Sequence, residues 1–315
     1  MNNTLSNIFK LIRYKNLIMI ILTQYFMRYL IIVPLLKVIN LEPQFSNLNF
    51  MLLVLATTLI AAAGYAINDY FDRKVDLVNH PDSVLVGTKI PRRMAMTLNN
   101  TFNAISILAA FYISWRIGHF NMGFIFVLIT GILWFYSATY KKWFLVGNLI
   151  VAVFSALVPF FVLLYEIPLL NNLTTIGENE VGIISLIFIY ITGYSFFAFM
   201  TTLSREIIKD IEDIEGDRSY GRKTMPVVTG IKFTKSIVIA INTFIAAAVI
   251  YVSWFFFGDW ISLTYSILFI AIPFLVTVYL LIRARENKDY RLIGNFIKVI
   301  MLSGLCYGIL IPFLI

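Results

Sequence analysis

One stretch of the chain joins an apolar run of membrane length to a series of carboxylates: residues 50–76, FMLLVLATTLIAAAGYAINDYFDRKVD. Its acidic spacing recurs 141 residues later with the same +3 and +4 steps, giving the triplets Asp69, Asp72, Asp76 and Asp210, Asp213, Asp217. Positions i, i+3 and i+7 share one face of an α-helix. Each triplet therefore predicts a stripe of three carboxylates, with Asn68 beside the first.

Two facing carboxylate stripes need cations. Two unit charges ~6 Å apart repel by roughly 3 kcal/mol at an effective dielectric of ~20. Ligand sets made only of oxygen favour Mg²⁺, which keeps several waters and takes further ligands from phosphate oxygens. The repeated triplet therefore predicts a site for a diphosphate and Mg²⁺, with two ions bridging the stripes.

The composition indicates an all-α polytopic membrane protein. The 315 residues are 60% hydrophobic and 13% charged, and the mean hydropathy of +0.84 is far from soluble usage. Apolar runs long enough to cross a ~30 Å hydrocarbon core begin near nine positions: Asn16, Phe50, Met94, Gly118, Gly147, Val181, Ile237, Trp260 and Leu292. We expect nine transmembrane helices around a central cavity. They would form a single domain, residues 1–315, with two pseudo-repeated halves, roughly 1–145 and 146–315.

The lysines and arginines indicate the side of the membrane that each loop faces. Of 25 such residues, 21 precede the first predicted span or follow the second, fourth, sixth and eighth. Positive charge concentrates in cytoplasmic loops. We therefore expect a multi-pass protein of the cell (inner) membrane, with its N-terminus in the cytoplasm and its C-terminus outside. Both acidic triplets, and hence the active site, then lie on the cytoplasmic face.

Two polar segments on that face, residues 70–93 and 204–235, are longer than a helix-to-helix connection requires. Long loops at one face usually carry function, so we expect them to form partly helical caps over the acidic cavity. On the opposite side, the segment from Glu166 to Glu180 is acidic and rich in asparagine. This composition is typical of a solvated connector.

Basic side chains on the cytoplasmic face provide the counter-charges that a leaving diphosphate needs, although topology alone also explains any one of them. The best candidate is Lys141, which closes a predicted helix and leads into Gly147-Asn148. The other candidates are Lys89, Arg92, Arg93, Arg222 and Lys223. Three glutamates on other helical faces are left out because i,i+4 ion pairs explain them: Glu206, Glu212 and Glu215.

Residue content argues against several function classes. The net charge of +8 is spread over loops without a nucleic-acid recognition motif, so no nucleic-acid partner is expected. His80 and His119 are the only histidines, which argues against a histidine-based metal site or a Ser-His-Asp triad. A cation-coupled transporter is a remote alternative. It requires ionisable residues near mid-membrane, where only Arg28 clearly lies.

The two acidic triplets strongly resemble the motifs of the UbiA superfamily of intramembrane prenyltransferases, N-D-x-x-D-x-x-x-D and D-x-x-x-D. The resemblance covers the whole chain and implies transfer of a prenyl group from a polyprenyl diphosphate. It implies metal ligands at Asn68, Asp72, Asp76, Asp213 and Asp217, with support from Asp69 and Asp210. We expect Asp69, Asp72 and Asp213 to be catalytic. Asn16 is similar to the family's diphosphate-side asparagine, and residues 136–148 are similar to its loop after span four.

Residues 209–226, KDIEDIEGDRSYGRKTMP, resemble the branch that alkylates geranylgeranylglycerol phosphate in ether-lipid synthesis. This implies Mg²⁺-dependent transfer from geranylgeranyl diphosphate to an acceptor hydroxyl, giving an ether and free diphosphate. Many members follow the first motif with Arg-Pro-Leu, where this chain has Ser83-Val84-Leu85, so Arg92 or Arg93 would substitute. The alternative is an aromatic acceptor, as in quinone, tocopherol or chlorophyll synthesis. The implied partners are the donor, a lipid or aromatic acceptor and membrane lipids, with no obligate protein partner evident.

Overall fold

The computed structural model describes residues 2–171 and 178–314. Its first half contains helices α1 Asn2–Leu11, α2 Tyr14–Phe26, α3 Val33–Val38, α4 Asn47–Asn79, α5 Arg92–Arg116 and α6 Gly123–Ala138. Its second half contains α7 Val146–Asn171, α8 Glu178–Glu212, α9 Ile214–Ser219, α10 Met225–Thr229, α11 Ile231–Val252, α12 Trp260–Ser266, α13 Ile272–Arg283, α14 Asn287–Cys306 and α15 Ile311–Leu314. In these residues β pairing is limited to an isolated bridge between Val86 and Ile90. The expected all-α fold is confirmed.

Eight helical segments in the described residues are long and apolar enough to cross a membrane. Three of them contain a π-helical stretch, at Met27–Ile32, Ser253–Phe257 and Ile267–Ala271. The third predicted span corresponds to α5, which has 25 residues but is too polar to count as a ninth. Its buried Asn99 donates to the carbonyl of Ala63 over 3.0 Å, and its buried Ser106 donates to that of Ala56 over 2.8 Å. These hydrogen bonds join α5 to α4, so the polar side chains of α5 are buried against the neighbouring helix.

The helices pack in two groups that meet around a cavity. In the first half, α4 packs along α2, α5 and α6, and in the second half α8 packs along α7, α11 and α14. The halves join where α2 contacts α7 and α14, and where α4 contacts the short helix α9. The largest apolar cluster joins the two groups, because it includes Phe50 of α4, Phe126 of α6 and Tyr165 of α7. This packing brings the C-terminal ends of α4 and α8, with the acidic motifs, to one end of the bundle, called here the motif end.

The polar segments at the motif end are mostly helical. Residues 70–79 continue α4 without a break, and residues 204–212 continue α8. Short helices α9 and α10 follow, together with the 3₁₀ turn Pro81–Ser83. The expected caps are therefore extensions of the transmembrane helices, joined by short connections.

The opposite end of the bundle, called here the far end, contradicts the expectation for Glu166. This residue lies within α7 and is fully buried, whereas a solvated connector was expected. Its Oε1 accepts hydrogen bonds from the backbone N–H groups of Gln44 and Phe45 over 2.5 and 3.1 Å. Its Oε2 lies 3.6 Å from Nη1 of Arg28. Glu166 is therefore the buried negative partner of Arg28. Residues 172–177 of the same segment lie outside the described residues.

Candidate functional site

The first acidic motif lies on one continuous helix. Helix α4 begins after Ser46, whose hydroxyl accepts from the N–H of Asn49 over 3.3 Å, and runs to Asn79. It ends before His80-Pro81 because a residue that precedes proline is disfavoured in the α conformation. The three carboxylates of this motif are therefore on one helical face, as their spacing predicts.

The second motif is divided between three elements, so the prediction of a second continuous stripe is wrong. Asp210 lies in the last turn of α8, Asp213 lies at the junction that follows, and Asp217 lies in α9. The side chain of Asn79 holds this junction. Its Oδ1 accepts from the N–H of Gly216 over 2.8 Å, and its Nδ2 donates to the carbonyl of Asp213 over 3.1 Å.

Gly216 is required for this junction. A Cβ atom at this position would lie 2.5 Å from both polar atoms of the Asn79 side chain, too close for a nonbonded contact. The end of the first motif's helix therefore packs directly on the backbone of the second motif. Local spacing does not reveal this break, because a contact between the halves produces it.

Asp72 is the centre of the ion-pair cluster at the motif end. Its Oδ1 lies 2.7 Å from Nζ of Lys141 and also contacts Nη2 of Arg222. Nη1 of the same guanidinium lies 3.3 Å from Oδ1 of Asp217. Arg222 therefore joins a carboxylate of the first motif to one of the second. We call Asp72, Lys141, Arg222 and Asp217 the motif-end cluster.

Two local features position the cations of this cluster. Lys141 is in the 3₁₀ turn Tyr140–Lys142. The backbone at Gly147 packs closely against this turn, and a Cβ atom at Gly147 would lie 2.8 Å from the Cα of Lys141, so this approach requires a glycine. The Lys223 N–H donates to the Lys142 carbonyl over 2.8 Å, which holds the Arg222 loop against the Lys141 turn. Lys141 also donates to Oδ1 of Asn68 over 3.2 Å.

Burial and charge change the acid–base properties of this cluster. Burial lowers the pKa of Lys141 to about 8, although the neighbouring Asp72 opposes the shift. Burial also disfavours the charge of Arg222, but Asp72 and Asp217 outweigh it and raise the pKa of the guanidinium. The pKa of Asp217 is raised because burial disfavours its charged form, against the effect of Arg222. The charge of each group in this cluster therefore depends on the charges of its neighbours.

Three further motif carboxylates have separate partners. Oδ1 of Asp69 accepts from Nη2 of Arg13 over 2.9 Å, Oδ1 of Asp213 lies 2.7 Å from Nε2 of His80, and Oδ2 of Asp210 accepts from Nδ2 of Asn148 over 2.8 Å. The hydrogen bond that His80 donates to Asp213 is the largest cause of the raised pKa of His80. Burial disfavours the Arg13 charge, but Asp69 raises its pKa overall.

A cavity of about 650 Å³ opens beside these groups. One part of its wall carries Asp69, Asp76 and Asp213 together with Asn16, whose Nδ2 donates to the Tyr65 hydroxyl over 3.3 Å. Another part is basic and includes Arg205, Lys209 and Lys298. The cavity can therefore receive an anionic ligand between carboxylates and cations.

The structure places the predicted site residues in three groups. Asn16, Asp69, Asp76 and Asp213 line the cavity, as does Lys89. A second group is buried or partly buried in contacts around Asp72, which were described above: Asn68, Asp72, Lys141, Asp217 and Arg222. A third group lies neither in the cavity wall nor around Asp72: Asp210, which binds Asn148, and the exposed side chains of Arg92, Arg93 and Lys223. The second group does not line the cavity either. The guanidinium of Arg92 stacks over Tyr70, 4.5 Å from the ring centre.

Sequence reasoning missed several cavity residues: Arg13, His80, Arg205, Lys209 and Lys298. A signal existed for Lys298, because an ionisable residue inside a membrane span is functional by default. It also missed the partner of Glu212, whose Oε1 accepts from Nε of Arg291 over 2.7 Å. That contact joins α8 to α14, whereas an i,i+4 pair within one helix was expected.

The donor set fits a hard divalent cation in chemical type. It consists of carboxylate and amide oxygens, the ligands that Mg²⁺ prefers, and Asp72 and Asp217 already flank one positive group, Arg222. Within residues 2–171 and 178–314, no three acidic, histidine or cysteine side chains converge closely enough to hold a metal as they stand. Binding a metal would therefore require Lys141 and Arg222 to leave Asp72.

Comparison with known proteins places the whole arrangement in one family. A digeranylgeranylglyceryl phosphate synthase from Methanosphaera stadtmanae is 30% identical over 258 residues, covering 81% of this chain and 85% of that protein. A UbiA homologue from Aeropyrum pernix K1 has the same fold, with a TM-score of 0.61 at 16% identity, covering 96% of this chain and 98% of that chain. A UbiA homologue from Archaeoglobus fulgidus bound to GPP and Mg²⁺ has a TM-score of 0.54 at 17% identity, covering 97% and 99%.

The sequence pattern of the UbiA prenyltransferase family matches residues 34–300, a region that contains both acidic motifs. The chain is a prenyltransferase that belongs to the UbiA family.

Proposed function

We propose that this prenyltransferase moves a geranylgeranyl group from its diphosphate to the hydroxyl of a prenylglycerol phosphate, with two Mg²⁺ ions. The first support is the ligand chemistry of the motif end, where carboxylates and cations alternate beside a 650 Å³ cavity. The second is similarity to a protein named digeranylgeranylglyceryl phosphate synthase. The third is a common fold with a homologue bound to GPP and Mg²⁺.

One observation carries the proposal: Arg222 joins Asp72 of the first motif to Asp217 of the second, while Lys141 contacts the same Asp72 oxygen. Two cations on one carboxylate oxygen form a pairing that a diphosphate with bound metal can replace. The carboxylates would then bind the metal, and both cations would bind phosphate oxygens. The metal ligands would come from Asn68, Asp72, Asp76, Asp213 and Asp217.

The reaction exchanges one carbon–oxygen bond for another. Bound Mg²⁺ supplies positive charge that stabilises the departing diphosphate. Lys141 and Arg222 add positive charge on the same side, and Asn16 lines the cavity where it can orient the diphosphate. The allylic C1–O bond breaks, the acceptor oxygen bonds to C1, and the hydroxyl proton passes to the released diphosphate or to a motif carboxylate.

The membrane orientation belongs to the same proposal. The first cavity residues, Lys10 and Arg13, are in the basic N-terminal segment, and positive charge concentrates on the cytoplasmic side. We infer that the motif end faces the cytoplasm. Helix α5 runs antiparallel along α4 and would add a ninth crossing to the eight apolar spans, so we also infer that the C-terminus is outside. Cysteine accessibility in intact cells tests this orientation, because a cysteine at Lys223 would then react only after permeabilisation.

The test of function is prenyl transfer by the detergent-purified protein. Geranylgeranyl diphosphate is supplied with geranylgeranylglycerol phosphate or with an aromatic acid, each with Mg²⁺ or EDTA. We expect an ether product with the lipid that depends on Mg²⁺. Product with the aromatic acid alone would assign the chain to aromatic prenyl transfer, and ether formation in EDTA would contradict the role of the metal.

A further inference from the structure

Part of the cavity lining is basic and includes no member of the motif-end cluster. Arg205 and Lys209 are one turn apart on α8, and Lys298 is on α14, which packs along α8. All three side chains line the cavity. We call these three residues the basic wall.

Two contacts fix the relative register of α8 and α14. At the motif end, Nε of Arg291 donates to Oε1 of Glu212 over 2.7 Å. Deeper in the bundle, the Phe197 ring packs directly on Gly304, where a Cβ atom would lie 2.5 Å from the ring. From the first contact to the second, the residue number decreases in α8 (212 to 197) and increases in α14 (291 to 304), so the two helices are antiparallel.

This register brings Lys298 and Arg205 to the same level. Each lies seven residues beyond the Arg291–Glu212 contact, which is about 10 Å deeper at 1.5 Å per residue. Positions seven residues apart share a helical face, so Lys298 and Arg205 occupy the equivalent row. At the level of Arg291 and Glu212 a cation faces a carboxylate. At the level of Lys298 and Arg205 two cations come together.

The basic wall has more positive than negative charge. Arg205 contacts the carboxylate of Glu206, but in the described residues neither Lys209 nor Lys298 has a carboxylate oxygen within 4.0 Å. Arg13 is a further positive charge near Lys298 and is itself paired with Asp69, while Glu206 is the nearby negative charge. Glu206 and Asp213 are the acidic groups that attract the positive charge of Lys209. Like charges grouped in a membrane protein are costly unless an anion binds between them.

We propose that the basic wall binds the phosphate of the lipid acceptor. This inference rests on the proposed function and adds the site at which the acceptor is recognised. The motif-end cluster has its own cations, Lys141 and Arg222, for the donor diphosphate. In a glycerol phosphate the free hydroxyl lies close to the phosphate, so binding at the wall holds that hydroxyl in the same cavity as the leaving group.

The first variant is Lys298→Gln, which removes the charge but keeps a side chain of similar length. Lys298→Arg is the conservative rescue. Lys288→Gln is the matched control, because Lys288 is an exposed lysine on the same helix that pairs with Glu286 over 2.8 Å. Thermal unfolding of each purified variant confirms that the fold is retained.

Kinetics then separate the acceptor from the donor. We expect Lys298→Gln to raise the KM for geranylgeranylglycerol phosphate about tenfold or more, the loss typical of one charge-assisted hydrogen bond. The KM for geranylgeranyl diphosphate should stay within about twofold, and Lys298→Arg should restore most of the loss. A rise in donor KM with unchanged acceptor KM would overturn the proposal.

Direct binding distinguishes this proposal from the proposed function. Binding of geranylgeranylglycerol phosphate is measured by calorimetry in EDTA, with geranylgeranylglycerol as the ligand that lacks phosphate. Preferential wild-type binding of the phosphorylated lipid, lost in Lys298→Gln, supports the basic wall even if turnover fails. Equal binding of both lipids by both proteins would overturn it even if the enzyme makes ether.

Discussion

Two clusters of buried charge lie at opposite ends of the bundle and differ in their pairing. At the far end, Arg28 and Glu166 are almost completely buried. The Arg28 guanidinium donates to the carbonyl of Phe45 and, over 3.1 Å, to Oδ1 of Asn47, and Glu166 accepts from the backbone of the same loop. We call Arg28 and Glu166 the far-end pair. At the motif end, one carboxylate, Asp72, contacts two cations beside a cavity.

The difference shows how similar ion pairs serve structure or function. The far-end pair is one cation and one anion, and its loop partners connect α3 to α4, so these groups stabilise a closed end. The motif-end cluster shares its charges among several partners, and Asp69 and Asp76 of the same motif as Asp72 line a cavity large enough for a ligand. An incoming anion can exchange partners there without leaving a buried charge unpaired. Four sets of substitutions test this contrast.

The largest expected effect is from loss of a motif carboxylate. Asp72→Ala and Asp213→Ala should each lower kcat/KM roughly 10³-fold or more, because each removes a charged ligand from the leaving-group side. The unfolding midpoint should change little in Asp213→Ala, whereas Asp72→Ala should also lose stability because Lys141 and Arg222 lose the carboxylate that they share. Glu215→Ala is the matched control, because this exposed acid lies between the motif carboxylates. Retained turnover in either aspartate variant would refute the shared-metal proposal.

The far-end pair should respond in the opposite way. Glu166→Ala leaves the guanidinium of Arg28 buried without its partner, which typically costs about 3–5 kcal/mol of stability. Thermal unfolding in detergent should show a large loss, while the specific activity of the folded fraction is retained. The double variant Arg28→Met with Glu166→Leu should recover part of that stability. A fully stable Glu166→Ala protein that has lost activity would place Glu166 in the catalytic machinery.

Arg222 and Lys223 provide a test with adjacent cations. Arg222→Gln should raise the KM for the prenyl diphosphate about 10- to 100-fold, as expected for a lost charged hydrogen bond of about 1.5–3 kcal/mol. Lys223→Gln should leave the KM unchanged, because its side chain is exposed and is not part of the motif-end cluster, whereas Arg222 contacts Asp72 and Asp217. Initial rates with varied donor measure both values. Equal effects of the two changes would mean that net positive charge, and not position, binds the diphosphate.

The smallest of the four effects concerns the junction between the motifs. Gly216→Ala places a Cβ against Asn79 and should lower kcat/KM about tenfold by displacing Asp213 and Asp217. Gly294→Ala is the control, because a Cβ on that helical glycine meets no atom within 4 Å. Adding Asn79→Ala to Gly216→Ala should restore part of the activity. No change in Gly216→Ala would show that the junction does not control the site.

Much of the fold could be predicted from the sequence because hydropathy and motif spacing are local properties. Apolar runs such as residues 50–67 predict membrane helices, and the triplet that begins at Asp69 predicts a stripe on a continuous helix, which α4 provides. The sequence also predicts α5 as the third of nine spans, but α5 is more polar than the eight apolar spans of the structure. Its polar groups bind α4, and that contact could not be read from α5 alone.

By itself, the sequence determined that the chain is a helical membrane protein with two acidic motifs, because both features depend on residues near one another in the chain. Only the tertiary structure decided which cations reach those motifs. Topology places Arg93, Lys223, Arg205 and Lys298 near one end or within a span, but helix packing turns only the last two into the cavity. It likewise gave Glu166 a buried partner and divided the second motif at Asp213. These outcomes depend on contacts between residues more than 100 positions apart, which local patterns do not encode.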